Sequence, residues 1–294
     1  MTTLYKMPAS QMVATLGALQ LNQWAPEGYF LKALRMPGWK GTPGVRKDTT
    51  PRLWAHGDFS ERGWRTGRLI TIEGRANLPT EAALLAAHEA LSSALADGTE
   101  GMLVVDDPIF GVLHASVSLA TGSDLPGWEV PGIYPFQIQV TAADPRKYGQ
   151  TLSGSTGVPV DGGGLGYDLY TVGSTGVLDY GAAGSPGIVS LTNVGTADTA
   201  PVYTITGSCP NGFSITEIGT GRRLVYAGAV ITGQVIRLDT ADGSVTLDDD
   251  GDRGAQLVRR EWVRLGKGQT GTWLFEAPGS TNALLKTEVT PAWW

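Results

Sequence analysis

The sequence predicts a mainly β protein: an N-terminal β-rich domain with one α-helix, followed by an antiparallel β-sandwich. Three observations carry that prediction. Gly (41) and Pro (17) make up about a fifth of the 294 residues, which marks a turn-rich chain. Hydrophobic residues still reach 41%, enough for ordered cores, while charged residues are only 17%. Short β-branched runs bounded by turn residues recur along the chain, and one segment alone has a clear helical period. The length suits two domains, each able to bury its own core.

Residues 1–26 carry few signals; 7–21 has some helical spacing, weakened by Pro8 and Gly17. Residues 28–35 read as a strand, with Tyr29, Leu31 and Ala33 alternating against Phe30, Lys32 and Leu34. A long turn-rich stretch, 37–59, follows. Gly67-Arg-Leu-Ile-Thr-Ile-Glu-Gly74 is a β-branched strand bounded by glycines. The helix is expected at 81–96. Thr80 is its N-cap, Glu81 suits the first turn, and Gly98 stops it. Leu84, Leu85, His88, Leu91 and Leu95 are expected to share its apolar face. Further strands are expected at 102–106, 111–119 and 134–142, punctuated by Asp107-Pro108 and Pro131-Gly132. The first domain is expected to span 1–149.

Residues 150–187 form a Gly-rich crossing segment with two copies of Gly-Ser-Thr-Gly-Val, starting at Gly154 and Gly173. Two short copies do not make a repeat architecture. The embedded Tyr167, Leu169, Tyr170 and Val172 favour an ordered segment over a free linker. The second domain is expected at 188–294. Its strands read at 188–191, 202–206, 213–217, 223–226, 235–238, 245–247, 262–265, 272–275 and 284–289. Ala241-Asp242-Gly243 joins two of them as a tight hairpin. Regular short strands of this kind predict a sandwich.

Composition excludes several functions. The net charge of −6 argues against a general nucleic-acid binder. No apolar run approaches the roughly 18 residues of a membrane helix. The start, Met1-Thr-Thr-Leu-Tyr-Lys6, lacks the layout of a secretion signal, so synthesis in the cytoplasm is expected. Cys209 is the single cysteine, so no internal disulfide can form. With it and only three histidines, no dedicated zinc site and no cofactor are expected.

No catalytic constellation emerges. His88 and His114 read as structural histidines of a helix and a strand. His56, in His56-Gly-Asp58, lies in a loop, but no nucleophile elbow, phosphate loop or zinc-protease motif accompanies it. The run Asp248-Asp-Asp-Gly-Asp252 fails the EF-hand pattern, because Arg253 and Arg259 stand where glycine and glutamate belong. It reads as a solvated hairpin end, with a cation-holding turn of another kind as the alternative.

Basic residues are unevenly spread. Residues 32–75 hold ten Lys and Arg against four Asp and Glu. Trp39, Trp54 and Trp64 fall in the same span as Arg46, Arg52, Arg65, Arg68 and Arg75. Trp and Arg are enriched in interface hot spots, so these eight are interface candidates; buried loop anchors would look the same. Trp293-Trp294 are expected to pack on the second domain or on a neighbour.

These residues resemble the distal tail proteins of long, non-contractile-tailed bacteriophages. Gly67–Gly74 followed by a single helix is similar to the family's glycine-arginine, strand, glycine step. Phe136-Gln-Ile-Gln-Val-Thr-Ala-Ala-Asp-Pro-Arg-Lys-Tyr148 resembles the strand and Ala-Asp-Pro exit that closes the N-terminal domain. Asn193-Val-Gly-Thr-Ala-Asp-Thr-Ala-Pro201, followed by Val202-Tyr-Thr-Ile-Thr-Gly207, resembles the first strands of a galectin-like sandwich. The ending Ala292-Trp-Trp294 is similar to that of many actinobacterial-phage members.

The resemblance implies a structural virion protein with no catalysis. It implies a homohexameric ring of N-terminal domains at the tail tip, joining the tail tube protein to the tail-associated hub protein. The galectin-like domains would project outward, toward receptor-binding proteins or host glycans. Arg65, Arg68 and Arg75 are then candidate ring contacts. The alternative is a carbohydrate-binding, adhesin-like protein using Trp262 or Trp273, where a core or interface role is the plainer reading.

Overall fold

The computed structural model describes residues 12–60, 62–122, 132–160, 162 and 184–294. Several sequence expectations fall outside them: the start of 7–21, Glu61, Pro131, the second Gly-Ser-Thr-Gly-Val copy, and Tyr167, Leu169, Tyr170 and Val172. The chain divides into two compact units, Met1–Gly149 with Trp293–Trp294, and Gln150–Ala292.

The first unit opens with a hairpin, β1 (Val13–Leu16) and β2 (Leu19–Leu21), turned at Gly17 with φ +57°. Over its described part, from residue 12, the helical spacing gives way to a two-residue alternation within each strand, with Ala14, Leu16, Leu19 and Leu21 buried. Then come β3 (Phe30–Arg35), β4 (Val45–Arg46), β5 (Thr49–Pro51), β6 (Asp58–Ser60), β7 (Trp64–Arg65) and β8 (Arg68–Asn77). The helix α1 (Glu81–Ser93) precedes β9 (Gly101–Asp107), β10 (Gly111–Leu119), β11 (Ile133–Ala142) and β12 (Lys147–Tyr148).

The main sheet runs β2-β1-β9-β10-β11-β8-β3, with its paired strands antiparallel. It is nearly closed into a barrel, because the Asn22 N–H beside β2 donates to Leu31 O of β3 at 2.7 Å. Alternate side chains of β8 and β11, including Ile70, Ile72, Phe136, Ile138 and Val140, fill its interior. Gly74 is required where β8 passes under Phe136. A Cβ there would lie 2.2 Å from Lys32 O and 2.6 Å from the Phe136 ring.

Thr80 caps α1, its Oγ1 accepting from Ala83 N–H at 3.1 Å. The helix ends at Ser93, short of 96, because Leu95 turns into the left-handed region at φ +53°. Its buried face is Ala83, Ala87 and Leu91, flanked by Leu84 and Leu95; Leu85 and His88 face solvent. The expected leucine face is therefore rotated. Small alanines let the helix lie close on the sheet, and leucine periodicity does not reveal that.

The last strand, β24 (Ala292–Trp293), brings Trp293 and Trp294 into the first unit, through pairing with β12. The expectation that they pack on the second domain gives way to packing in the first unit, with a local cause. Gly149 has no Cβ, and one there would lie 2.6 Å from the Trp293 ring, which occupies that space.

The second unit is two antiparallel sheets. One holds β13 (Leu152–Gly157), β15 (Val202–Thr206), β18 (Val235–Asp239), β19 (Ser244–Leu247), β20 (Gly251–Asp252) and β23 (Leu284–Val289). The other holds β14 (Ile188–Thr192), β16 (Phe213–Glu217), β17 (Arg223–Tyr226), β21 (Leu257–Arg260) and β22 (Thr270–Glu276). Tyr203, Ile205, Leu238 and Leu285 from the first share one core with Phe213, Tyr226, Trp273 and Phe275 from the second. That shared core makes the unit a sandwich.

The first Gly-Ser-Thr-Gly-Val copy lies largely in β13, so the front of the expected crossing segment is a sheet strand. The strand expected at 262–265 is displaced to Leu257–Arg260, leaving Leu265 in a single bridge to Thr199. Only Leu257 of β21 is buried, while Val258 and both arginines are exposed, so the strand writes no hydrophobic alternation into the sequence.

Candidate assembly surface

The turn-rich stretch after β3 is an out-and-back arm. Near its root, β4 pairs β7 through Val45–Arg65 and Arg46–Trp64. Further out, β5 pairs β6 through Thr49–Ser60, Thr50–Phe59 and Pro51–Asp58. The tip closes where Arg52 N–H donates to Gly57 O at 3.1 Å, with Gly57 at φ +87°. Two-stranded ribbons have no core of their own, so apolar side chains on them stay bare. Trp54 is 98% exposed and Leu53 87%, with Val45, Phe59 and Trp64 also exposed. Guanidinium groups lie over three aromatic rings: Arg52 over Phe59 at 5.1 Å, Arg62 over Trp64 at 5.0 Å and Arg65 over Trp294 at 5.5 Å.

The arm is anchored by two buried cations. Arg68 Nη1 donates to the carbonyls of Gly38, Trp39 and Gly41 at 2.5, 3.2 and 2.7 Å, and its Nε to Pro145 O at 2.9 Å. Lys147 Nζ donates to Trp39 O at 3.0 Å and sits 5.6 Å from the Trp39 ring centre. Carbonyl oxygens solvate both charges in place of water. Burial, with the Arg68 charge nearby, pushes the Lys147 ammonium down to about 8. Burial also lowers Arg68, with Arg65 adding repulsion. Beside the root, Lys40 Nζ meets Asp107 Oδ2 at 2.7 Å. Burial raises the Asp107 carboxyl, but bonds from Lys40 and from the Ile109 and Phe110 N–H groups outweigh it and hold it below the usual range.

The structure sorts the eight interface candidates. Arg46, Arg52, Trp54, Trp64 and Arg65 are exposed on the arm. Trp39 and Arg68 are buried at its root, 3% and 2% exposed, where they hold the arm. Arg75 is exposed on the barrel, on β8 rather than on the arm. Leu53, Phe59 and Lys147 were not singled out by the sequence. Leu53 and Phe59 adjoin named arginines, but Lys147 gives no signal without the fold.

The other expectations are resolved as simply. Trp273 is 1% exposed and meets Tyr203 edge-on at 5.9 Å, so it presents no ring to a sugar. Trp262 is half-buried beside Gly243, its carbonyl accepting from Arg222 Nη1 at 3.0 Å. His56 lies exposed at the arm tip, His88 on the outer face of α1, and His114 on β10 beside Tyr148. They share no site. Asp248 Oδ1 accepts from Val235 N–H and Asp252 Oδ1 from Gly254 N–H, each at 2.8 Å, so this acidic run shapes turns. Among the described residues no cluster of His, Cys, Asp or Glu suited to a metal ion gathers. Among them, too, no helix is long and apolar enough to cross a membrane.

No protein-family model matches the chain, and no curated protein matches it in sequence. Solved structures do match in fold. The Dit protein (gp 19.1) of phage SPP1, described as a paradigm of hub adsorption apparatus in phages infecting Gram-positive hosts, aligns with a TM-score of 0.67 at 11% identity. The match covers 96% of this chain and 99% of that one. A chain of the phage p2 baseplate, in its activated conformation with Sr, aligns with a TM-score of 0.50 at 12% identity, covering 95% and 97%. The chain therefore has the fold of SPP1 Dit, along nearly its whole length.

Proposed function

We propose that this chain is a structural component of a phage virion, placed at the distal end of the tail. Copies of it close into a homohexameric ring that joins the tail tube to the tail-tip hub and supports host-recognition proteins. The observation that carries this reading is the fold correspondence with SPP1 Dit along nearly the whole of both chains. The arm supports it independently. A closed ring uses two different patches on each subunit, and bare tryptophan and leucine on a rigidly anchored projection suit one of them. The proposal assigns the chain no catalysis and no cofactor. The outward role of the galectin-like second unit, toward receptor-binding protein or host glycan, belongs to the same reading.

The test is the mass of the purified chain by light scattering across concentration, followed by negative-stain images. A closed species of about six copies with a central channel supports the reading. A folded monomer, both alone and with tail tube protein added, overturns it.

A further inference from the structure

The outer face of the first unit's barrel carries a hollow walled by aromatic rings and rimmed by cations. It measures about 320 Å³ and lies where β3 begins and β8 ends. Trp24, Phe30 and Ile133 are its large apolar walls, and Lys32 and Arg75 carry its charge. No Asp or Glu is among its described lining residues.

The hollow is built in advance of any ligand. Trp24 is 59% exposed, yet it is held in place. It forms a β-bridge with Phe30, and the turn after it closes through Ala25 N–H to Tyr29 O at 2.9 Å. Ala25 and Tyr29 join the core, which leaves the indole beside them outside. The Trp24 ring meets the Phe30 ring at 5.3 Å, inclined by 51°. Binding against these rings orders little that is not ordered already.

The strand register sets the charge. Lys32 stands directly opposite Arg75, both exposed on the outer face of β3 and β8. Like charges so placed repel, and an anion beside both offsets that repulsion. In the next row Arg35 faces Glu73, so opposite charges meet there. The hollow therefore suits one large apolar side chain flanked by carboxylates, its volume lying at the small end of ligand sites. Single-stranded nucleic acid also stacks on tryptophan. With only two cations at the rim and a net chain charge of −6, a phosphate backbone gains little here.

We propose that this hollow binds an acidic peptide segment of another protein. One aromatic side chain of the segment seats against Trp24, and its flanking carboxylates meet Lys32 and Arg75. Such binding requires neither the ring nor the arm.

The probe is a dye-labelled Asp-Glu-Asp-Trp-Glu-Asp-Glu peptide, titrated with the full-length protein at low salt and read by fluorescence anisotropy. Saturable binding is expected. Lys32→Glu combined with Arg75→Glu, or Trp24→Ala alone, should weaken it at least about tenfold. All three positions are exposed, so the variants should melt with the parent. A second peptide, with benzoylphenylalanine in place of its tryptophan, should photo-cross-link to Trp24, Phe30 or Ile133.

No saturation below about 1 mM protein overturns the proposal, as does binding that tolerates these substitutions. Cross-links on the arm or on the second unit overturn it as well. Displacement of the peptide by a thymidine oligonucleotide that cross-links to the same rings reassigns the hollow to nucleic acid. A fall in the protein's own assembled mass on Lys32→Glu with Arg75→Glu gives the hollow to a second copy of the chain, against the proposal.

Discussion

Replacing Arg68 by methionine should destabilise the first unit by about 3 kcal/mol. The guanidinium makes two charged donations: Nε to Pro145 O, and Nη1 shared among Gly38, Trp39 and Gly41. At roughly 1.5–3 kcal/mol for each charge-assisted bond, their loss costs about 3–6 kcal/mol. Part is returned, because Arg68 Nη2 is buried with no acceptor and methionine removes that orphan donor. Methionine also keeps most of the apolar stem, which limits the cavity. For a unit the size of Met1–Gly149, about 3 kcal/mol corresponds to a fall of roughly 6–12 °C in melting temperature. The assay is thermal unfolding of the full chain, read beside chymotrypsin cleavage at the arm aromatics. Cleavage should accelerate in the variant at temperatures where the rest of the unit stays folded. Arg52→Met, on the exposed tip, is the control and should stay within about 0.5 kcal/mol. Melting of Arg68→Met within about 2 °C of the parent, with unchanged cleavage, would refute the claim that Arg68 anchors the arm.

Three further outcomes follow from the packing and charges. Between pH 8 and 10.5 the unfolded chain holds a proton on Lys147 that the folded chain gives up, so the first unit should gain stability as pH rises through that window. The gain is at most about 3 kcal/mol, and Lys147→Met should remove that part of the slope in urea titrations. In the second unit, fully buried Asn193 donates to Ala197, Leu265 and Gly266 carbonyls and accepts from Gly195 N–H. Asn193→Ala should cost about 3 kcal/mol by chemical denaturation, while an effect below roughly 0.5 kcal/mol would show that these bonds contribute nothing net. Gly74→Ala should destabilise the barrel by about 1–3 kcal/mol, since its Cβ meets Lys32 O and the Phe136 ring; an unchanged melting temperature would contradict that fit.

Much of the fold was legible because sheets write themselves into sequence with a period of two. The strands at Gly111–Leu119, Phe213–Glu217 and Leu284–Val289 coincide with their β-branched, alternating runs. The failures have physical causes. The β1–β2 hairpin is too short to outweigh a chance helical spacing. The burial of α1 rests on alanines, which carry little hydrophobic signal. The strand at Leu257–Arg260 faces two arginines to water.

The candidate surface was legible as a cluster but not as a geometry. Trp39, Trp54 and Trp64 look alike in sequence, yet the first is the arm's buried footing and the other two are exposed. Arg68 and Arg65 differ in the same way. Their roles are set by carbonyls of residues 38–41 and 145, which only the closed barrel brings to Arg68. Trp273 failed as a sugar contact for a related reason. Alternation along β22 fixes that it shares a face with Phe275, and packing decides that this face is the core.

The most direct measurement of the central claim is where the chain sits on the virion. Gold-labelled antibody raised against the second unit would be applied to particles purified from cells that make the chain with its native tail proteins. Label confined to the distal tip of the tail is the predicted result. Label spread along the tube or at the head, or intact tails carrying none, would contradict it.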